Sequence, residues 1–565
     1  MKIFRLFTLL PLMLFIFSIF LYSQSNMLDN TFGTDGTVRN YITGGDSSDD
    51  EATSIAIQPD GKIVVTGITA GLSALTNLFA VARYNSNGTP DSTFGGVFKP
   101  TLSSGFILAG GDDWTAASVL IQTDGKIVVA GSADLSPNLN ASINQYEFGL
   151  YRFNSNGTID SSFGQYGEAQ TSIFGGDYAA DHVYAAALQG DSKIVVAGAS
   201  ADSNKTAFAL ARFNSDGTID KSFGNNGTVR NYIASADSFD DEAHSVAIQS
   251  DGKIVAAGWS EDGYSATPQA FALARYNSNG TLDSTFGSGG TVRVAVPLPG
   301  IPNEVGLAYS VAALPDGKIL AGGYCSDSGF AVVRFNGNGT IDNTFGVMGA
   351  ATTNISGSNG TGDEALSMAV GSDGQIVLAG HSSVSGNGYN AFAVACFDSN
   401  GTLEKTFGTN GSTITNISGG DGSDDEANAV AIQKDGKIIA AGYSSGVPPY
   451  LGSIGWAFAI ARFLPSIPTA VAAGQTIPNK YVLYQNYPNP FNPSTVISYQ
   501  LSALSSVTLK VYDVLGREIE TLVSQRQKAG LYQVTFNASR LSSGVYFYRI
   551  VAGNFSDTKK LLLLK

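Results

Sequence analysis

A short segment that recurs seven times constrains the fold of this chain more than any other feature. The first copy, SIAIQPDGKIVVTG from Ser54 to Gly67, places an Asp-Gly-Lys turn between two apolar runs. Further copies follow at steps of roughly 60 residues, a period that indicates a repeat architecture in which units bury their apolar faces on one another. The aspartates that open these turns are Asp60, Asp124, Asp191, Asp251, Asp316, Asp373 and Asp435.

Each repeat carries a second signature, which in the first copy reads FAVARYNSNGTPDSTFG from Phe79 to Gly95. Asp-Gly and Asn-Gly tolerate positive φ and favour tight hairpin turns. The β-branched and alternating residues beside them favour strands. We therefore expect two β-hairpins per repeat, with strands A (SIAIQ), B (IVVTG), C (FAVARY) and D, the last around the DSTFG segment. Four antiparallel strands repeated in this way predict an all-β fold, a seven-bladed β-propeller over residues 24–463.

The two ends of the array complement each other. The segment Leu28–Gly33 (LDNTFG) is of the D type with no C strand before it, whereas the array ends in a C strand with no D segment after it. We expect Leu28–Gly33 to pair beside Trp456–Phe463 and so to complete the last blade. Closure of this kind removes exposed strand edges.

On these two signatures, the array resembles the delta-60 repeat, a bacterial β-propeller repeat without an established biochemical function. The resemblance extends over nearly the whole array. The sequence departs from the pattern at Ser192, which replaces Gly, at Gln375, which replaces Lys, and at Cys396, which replaces Arg. These changes are expected to weaken single blades and to leave the fold intact.

Strand C carries an arginine in most repeats, and the following arm carries an aspartate, as in Arg83 and Asp91. The repeat that has Cys396 in place of arginine also has Glu404 in place of aspartate. We therefore hypothesise a structural Arg–Asp ion pair within each C–D hairpin.

The long B–C and D–A connections of a four-stranded blade share one face, where we place any binding surface. Acidic pairs stand just before or at the start of strand A, the innermost strand, and are expected to ring one mouth of the central channel. Their oxygens could hold Ca²⁺, the only candidate cofactor, or could cap strands and remain solvated. The candidate metal ligands are Asp50, Glu51, Asp241, Glu242, Asp363, Glu364, Asp425 and Glu426.

Aromatic residues also sit in these loops, and exposed rings can stack on sugars or anchor peptides. The candidates for binding a glycan or peptide ligand are Trp114, Trp259, Tyr324 and Tyr443. The alternative is that these rings only complete loop packing.

Composition limits the function. The net charge of −15 argues against a nucleic-acid partner. The three histidines have no metal-ligand spacing, and no nucleophile motif is present, so no catalytic residue is assigned. We expect a monomeric binding or adhesion protein. The alternative is an extracellular polysaccharide-acting enzyme that uses loop carboxylates.

The first residues predict export. Lys2 and Arg5 precede an apolar run from Leu6 to Tyr22, which is typical of a signal peptide and is assigned to residues 1–23. A membrane anchor is the alternative, but the run is short and contains Pro11. No transmembrane span is expected once the signal is removed.

Residues 464–480 are rich in Pro and small residues and predict a linker. Strong alternation in residues 481–565 then predicts a small Ig-like β-sandwich. This stretch contains YPNPFNP, VYD with GR, GVYFY and a terminal KKL. It closely resembles the type A C-terminal sorting domain of the type IX secretion system. The matching residues include Pro488, Asn489, Pro490, Gly516, Arg517, Gly544, Tyr546, Lys559 and Lys560.

That resemblance implies two partners, the outer-membrane translocon and a sortase-like protease. It also implies a protein that is secreted or attached to the outer-membrane surface of a Gram-negative cell.

Overall fold

The structure, a computed structural model, contains only β-strands, turns and loops in the residues that it describes, and so no helix that could cross a membrane is found there. Contacts divide the chain into a body that ends at Ile467 and a second body that begins at Pro468. The described residues are 27–42, 49–70, 77–95, 106–109, 114–134, 146–174, 180–202, 205–233, 240–261, 269–300, 305–357, 362–383, 389–418, 423–445, 455–465, 481–486, 489–502, 505–527, 530–553 and 555–564. The predicted signal peptide and most of the predicted linker lie outside them.

The first body is built from strands of seven to nine residues and shorter strands of four residues, which follow one another along the chain. Their bounds are β1 Thr37–Asn40, β2 Asp50–Ile57, β3 Ile63–Ala70, β4 Asn77–Tyr84, β5 Phe106–Ala109, β6 Trp114–Ile121, β7 Ile127–Asp134, β8 Tyr146–Phe153, β9 Glu168–Thr171, β10 Ala180–Leu188, β11 Ile194–Ala201, β12 Thr206–Phe213, β13 Thr228–Asn231 and β14 Asp241–Ile248. They continue with β15 Ile254–Ser260, β16 Ala270–Tyr276, β17 Thr291–Val294, β18 Gly306–Ala313, β19 Ile319–Cys325, β20 Gly329–Phe335, β21 Ala350–Thr353, β22 Asp363–Val370, β23 Ile376–Ser383, β24 Asn390–Phe397, β25 Ser412–Thr415, β26 Asp425–Ile432, β27 Ile438–Ser444 and β28 Ala457–Phe463.

These strands form repeat units of four antiparallel strands, which we number 1 to 7. Units 1 to 6 are β2–β5, β6–β9, β10–β13, β14–β17, β18–β21 and β22–β25, and unit 7 is β26–β28 with β1. Units 2 and 3 are joined into one sheet only by a parallel bridge between Tyr146 and Ala180. The first three strands of each unit are the A, B and C strands expected from the sequence.

The position of the fourth strand corrects the sequence prediction. The DSTFG segment is not strand D, because it folds into turns, and the strand begins after it, for example at Thr228 in unit 3. The aspartate causes this turn. In unit 1, Asp91 Oδ1 accepts hydrogen bonds from the backbone N of Thr93 at 3.0 Å and from its hydroxyl at 2.7 Å. The glycine that follows is required too, since a Cβ on Gly224 would lie 2.2 Å from the carbonyl oxygen of Thr228.

The N-terminal segment completes unit 7. Leu28 forms a bridge with Phe463, and the backbone N of Asp29 donates to the carbonyl of Arg462 at 2.8 Å. The predicted pairing beside Trp456–Phe463 is thereby confirmed at Leu28 and Asp29. The sheet itself is extended by β1, whose Thr37 pairs with Ala461.

Adjacent units pack through apolar clusters, and the same holds for unit 7 on unit 1. The cluster between those two units joins Phe32 and Val38 to Ile63 and Val65 on one side and Ile439, Phe458 and Ile460 on the other. Phe32 is the phenylalanine of the TFG turn, and its equivalents Phe94, Phe163, Phe223, Phe286, Phe345 and Phe407 are likewise buried. The TFG phenylalanines are therefore core residues.

The hypothesised Arg–Asp pairs are confirmed, and the structure adds a lysine to each. In unit 3, Arg212 lies 2.8 Å and Lys193 lies 2.9 Å from Asp220 Oδ2. The Arg–Asp distances are between 2.7 and 2.9 Å for Arg83–Asp91, Arg152–Asp160, Arg212–Asp220, Arg275–Asp283, Arg334–Asp342 and Arg462–Asp29. The lysine comes from the Asp-Gly-Lys turn, in which the sequence indicated only turn chemistry.

Each of these arginines also reaches the next unit. Arg212 stacks over the Phe223 ring at 4.6 Å, and its Nη1 donates to the carbonyl of Ser278 in unit 4. In unit 7, Arg462 donates in the same way to Ser86 of unit 1. The guanidinium therefore links neighbouring units all the way to the junction between last and first.

Unit 6 differs at all three positions, because the uncharged Gln375 and Cys396 stand where the other units have Lys and Arg, and Glu404 stands where they have Asp. The unit that follows it explains the loss of the arginine. After β28 the chain continues with Leu464-Pro465 instead of the Asn-Ser-Asn-Gly turn that supplies the acceptor carbonyl elsewhere. An arginine at position 396 would lack the acceptor turn that its equivalents use.

Acid should weaken this body through the paired aspartates. Burial opposes their ionisation, but hydrogen bonds from Thr or Ser and from Lys, with the Arg charge, outweigh it and hold the pKa of Asp91 and Asp220 well below the usual range. A depressed folded pKa gives stability that is present above about pH 4 and is lost as the pH falls further. We expect the Tm to fall steeply below that pH. The slope should be shallower in Asp91→Asn than in Asp60→Asn, a turn control, and equal slopes would contradict this prediction.

The second body contains two antiparallel sheets around one core. Its strands are β29 Val482–Leu483, β30 Ser494–Leu501, β31 Ser505–Tyr512, β32 Glu518–Gln527, β33 Gly530–Asn537, β34 Gly544–Ala552 and β35 Phe555–Leu563. The sheet orders are β29-β30-β33 and β32-β31-β34-β35. Ile497 and Tyr499 of the first sheet share a buried cluster with Leu509, Tyr548 and Ile550 of the second.

Candidate functional site

The first strand of each unit lines a central cavity of about 680 Å³. These strands share a β-bulge, which in β2 falls between Ala52 and Ser54 and recurs at equivalent places, for example between Ala243 and Ser245 in β14. A bulge adds an unpaired residue and re-aims its side chain. Counted from Asp50, or from the equivalent residue in each further unit, the second and fourth residues of the strand lie on the same side by alternation, and in unit 1 these residues, Glu51 and Thr53, face the cavity.

The aspartates of the acidic pairs do not face the cavity, which corrects the sequence prediction for half of the candidate metal ligands. Asp50 is fully buried, and its Oδ2 accepts from the backbone N of Ile42 at 2.7 Å. The backbone N of Ile417 donates likewise to Asp425 at 2.8 Å. Strand alternation sends neighbouring side chains to opposite sides. The buried aspartates that tie the preceding loop to the strand in this way are Asp50, Asp181, Asp241, Asp363 and Asp425.

The hypothesis of a calcium site gains no support from this arrangement. In the part of the chain that the structure describes, no group of three or more His, Cys, Asp or Glu side chains is placed to hold a metal ion. The glutamates Glu51, Glu242, Glu364 and Glu426 remain at the second position of their strands.

Three of these glutamates belong to consecutive units 6, 7 and 1, and we call Glu364, Glu426 and Glu51 the acidic arc. Asn428 Nδ2 donates to Glu51 Oε1 at 3.0 Å, and Tyr443 donates from its hydroxyl to Glu426 Oε2 at 3.3 Å. Burial raises the pKa of Glu51, and the charge of Glu426 adds to that effect. Burial likewise raises the pKa of Glu426.

The opposite part of the wall carries rings from units 3, 4 and 5, and we call Tyr184, His244 and Tyr309 the aromatic arc. The ring centroids of Tyr184 and His244 are 4.2 Å apart and the rings are stacked, whereas His244 meets Tyr309 edge-on at 5.2 Å. His244 Nε2 lies 2.9 Å from Glu242 Oε2 and 3.1 Å from Trp259 Nε1. All three arc residues occupy the bulged fourth position of their strands.

The two arcs act on one another electrostatically. Burial raises the pKa of Tyr309, and the charges of Glu364, Glu242 and Glu426 raise it further. Burial also lowers the pKa of His182, which therefore stays neutral at neutral pH. Among the described residues that line the cavity none is a lysine or an arginine. The cavity is therefore a negatively charged space with an aromatic wall.

The four predicted aromatic contacts have different fates. The prediction for Trp114 is wrong, because its side chain is buried in the core between units 1 and 2, against Tyr151 at 4.8 Å, in space that Gly149 leaves open. Trp259 lies beside the aromatic arc through His244. Tyr443 lies beside the acidic arc and stacks on Trp456 at 4.6 Å. Tyr324 is half-buried and pairs with Leu307 across β18 and β19.

In the second body, the residues matched to a sorting domain occupy turns and the last strands. Asn489 Oδ1 accepts from the backbone N of Leu562 at 2.9 Å, which fixes Asn489 to β35. Arg517 pairs with Asp513 at 2.7 Å beside Gly516, whose φ is +77°. Gly544 and Tyr546 lie on β34, Lys559 and Lys560 lie on β35, and Pro490 follows Asn489. Pro488 lies outside the described residues.

Sequence reasoning missed the aromatic arc. The acidic pairs end at the second residue of the strand, and the fourth residue, which alternation places on the same side, has no single residue type common to all the repeats. A signal was nevertheless present. The fourth position reads Thr53, Ala117, Tyr184, His244, Tyr309, Leu366 and Asn428 from unit 1 to unit 7, so it varies while its neighbours stay small and similar.

Two family models match the chain. The domain of unknown function DUF5122, described as a beta-propeller, matches residues 58–94, 122–163, 189–223, 249–286, 314–345 and 371–407. A secretion system C-terminal sorting domain matches residues 485–564. No protein in the curated set matches the chain.

Several solved structures are similar at low identity. A Dyadobacter fermentans protein of unknown function is 12% identical, with a TM-score of 0.37, over 76% of this chain and 100% of that one. PorZ, a surface component of the type IX secretion system of Porphyromonas gingivalis, is 11% identical, with a TM-score of 0.29, over 91% and 81%. The polysaccharide lyase Uly1 is 10% identical, with a TM-score of 0.40, over 77% and 92%.

TM-scores as low as these do not connect the chain to any of those functions. The family models agree with the repeated four-stranded units and with the separate C-terminal body. The chain is therefore composed of DUF5122 beta-propeller repeats followed by a secretion system C-terminal sorting domain.

Proposed function

We propose that units 1 to 7 are the blades of a closed seven-bladed β-propeller over residues 24–463, which β1 completes. The cyclic order of the apolar clusters, including the one between units 7 and 1, supports this proposal. The second body, residues 481–565 after a linker at 464–480, is proposed to be an Ig-like sandwich. Its partners would be the type IX translocon and a sortase-like protease. The sorting domain implies a secreted or surface-attached protein.

We infer that this exported propeller is a non-catalytic protein that binds a glycan at the central cavity. The observation that carries the proposal is the cavity wall, where Glu51 and Glu426 of the acidic arc and the three rings of the aromatic arc border one space of about 680 Å³. That volume is within the usual range for small-ligand sites. Carboxylates accept hydrogen bonds from sugar hydroxyls, and rings stack on the apolar face of a pyranose.

A glycan microarray with the full chain tests this function. We expect specific sugars to bind and the Tyr309→Ala variant to bind about fivefold more weakly, because one ring contact is worth about 1 kcal/mol. Tyr166→Ala is the matched control, since Tyr166 is 80% exposed and is not part of the cavity wall. A blank array, or equal losses in both variants, would count against glycan binding there.

The alternative is an extracellular polysaccharide-acting enzyme, and the raised pKa values of Glu51 and Glu426 favour it specifically. A raised pKa brings a carboxyl group closer to the protonated state that a general acid needs. A hydrolase screen would support this alternative if sugar release were detected and were lost in Glu426→Gln. Binding without sugar release would favour the binding protein.

A further inference from the structure

We propose that the cavity is selective for sugars that carry a free amino group, so that its ligand is an amino sugar unit in its ammonium form. This inference rests on the proposed glycan-binding function and names the ligand class of the same site. It follows from the placement of charge, of hydrogen-bond donors and of rings around the cavity.

The charge of the cavity wall favours a cationic ligand. Glu51 and Glu426 are held near one another, and each lies where burial makes the ionised form costly. No cationic side chain of the described residues lines the cavity to offset them. A neutral sugar would leave that cost in place, whereas an ammonium group would remove it. The whole chain, at a net charge of −15, also attracts cations rather than anions.

Neutral groups orient the acidic arc. Asn428 Nδ2 bridges Glu51 Oε1 and the carbonyl of Ala52, both at 3.0 Å. Glu426 Oε2 lies 3.3 Å from both the Tyr443 hydroxyl and His381 Nδ1. Burial lowers the pKa of His381, so this imidazole does not supply the missing positive charge at neutral pH. The carboxylates are thus positioned without a cation and keep their charge for a ligand.

The aromatic arc suits the ring of such a sugar. Tyr184 and His244 are stacked and present a ring face, and Tyr309 stands edge-on beside them. Rings attract both the apolar face of a pyranose and a nearby ammonium group. Glu242 lies at this arc, 2.9 Å from His244 Nε2. An amino sugar matches both arcs at once, because its ring can stack while its ammonium group pairs with a carboxylate.

Calorimetry with the full chain tests this inference at pH 6, where a glucosamine oligosaccharide is largely protonated. The titrants are that oligosaccharide, its N-acetylated counterpart, a neutral cello-oligosaccharide of equal length and an arginine-rich peptide. We expect the glucosamine oligosaccharide to bind at least about tenfold more tightly than the other three, with an affinity that falls as salt is raised.

Variants separate charge from shape. The double variant Glu51→Gln, Glu426→Gln should lose the preference for the free amine while it retains the binding of the neutral sugar. Asp251→Asn, which changes an exposed turn carboxylate by the same isostere, is the control and should leave the preference intact. If the double variant unfolds, the salt dependence of glucosamine oligosaccharide binding by the unmodified chain still tests whether charge causes the preference.

Three outcomes would overturn the inference. Equal affinity for the free and acetylated sugars would overturn the selectivity and leave the glycan-binding function standing. Tighter binding of the arginine-rich peptide would replace the sugar with a cationic peptide. No binding of any sugar would overturn both the inference and the proposed function.

Discussion

Replacement of Arg212 by methionine should lower the free energy of unfolding of the repeat body by about 3 kcal/mol. The Arg212 and Asp220 side chains are 6% and 8% exposed, so the substitution leaves a buried carboxylate with Lys193 as its remaining charged partner. It also removes the stacking on Phe223 and the hydrogen bond to Ser278 of the next unit. The measurement is urea unfolding followed by tryptophan fluorescence.

Arg230→Met is the matched control for this experiment. Arg230 pairs with Asp202 at 3.1 Å, but these side chains are 19% and 26% exposed, and a pair near the surface is worth about 1 kcal/mol or less. If Arg212→Met and Arg230→Met lowered the free energy of unfolding equally, the guanidinium in the C–D hairpin would contribute no more than an ion pair near the surface. The proposed link between neighbouring units would then be wrong.

Deletion of residues 27–40 should destabilise the repeat body more than any single substitution, because it removes the fourth strand of unit 7. The deletion exposes the edge of β28 and takes Phe32 and Val38 out of the core that they share with Ile460. Each buried apolar side chain contributes about 2 kcal/mol. With the lost ladder and the Asp29–Arg462 pair, the total approaches the roughly 5–15 kcal/mol of a whole domain, so we expect no cooperative unfolding transition.

Size-exclusion chromatography and thermal melts check this prediction. An exposed strand edge pairs with other chains, so the deleted protein should elute as aggregates. A synthetic peptide of residues 27–42 added in trans should restore part of the transition. A shortened chain that stayed monomeric with an unchanged Tm would show that unit 7 does not need β1.

The repeats, the hairpins and the Arg–Asp pairs were predictable because each depends on a local residue pattern that recurs along the chain. Asp60-Gly61 specifies a turn wherever it stands, and Arg83 with Asp91 lies within one hairpin. The sequence prediction placed the fourth strand too early in the repeat because Asp91 makes two kinds of contact. Its Oδ1 caps Thr93 while its Oδ2 binds Arg83, and so the segment must turn where its composition would allow a strand.

The sequence predicted the glutamates of the candidate site but not its aromatic arc. Alternation along β2 places both Glu51 and Thr53 on the cavity side, and the bulge changes the alternation only beyond Thr53. Tyr184, His244 and Tyr309 come together only because separate units place the same bulged position around one axis. That proximity arises between units distant in sequence, and a single strand contains no trace of it. The prediction for Trp114 failed because Gly149, on another strand, has no side chain and leaves room in the core for the Trp114 ring.

The absence of a guanidinium at Cys396 has a mechanical consequence. At six junctions between neighbouring units an arginine hydrogen-bonds to the next unit, whereas the contacts described at the junction from unit 6 to unit 7 include apolar ones such as that of Phe407 with Phe463. Under tension or heat, we expect neighbouring units to separate first at the junction with the weakest contacts. The junction from unit 6 to unit 7 adjoins β28, after which the chain continues to the sorting domain. A force applied through an anchored C-terminal domain would therefore act first on this junction.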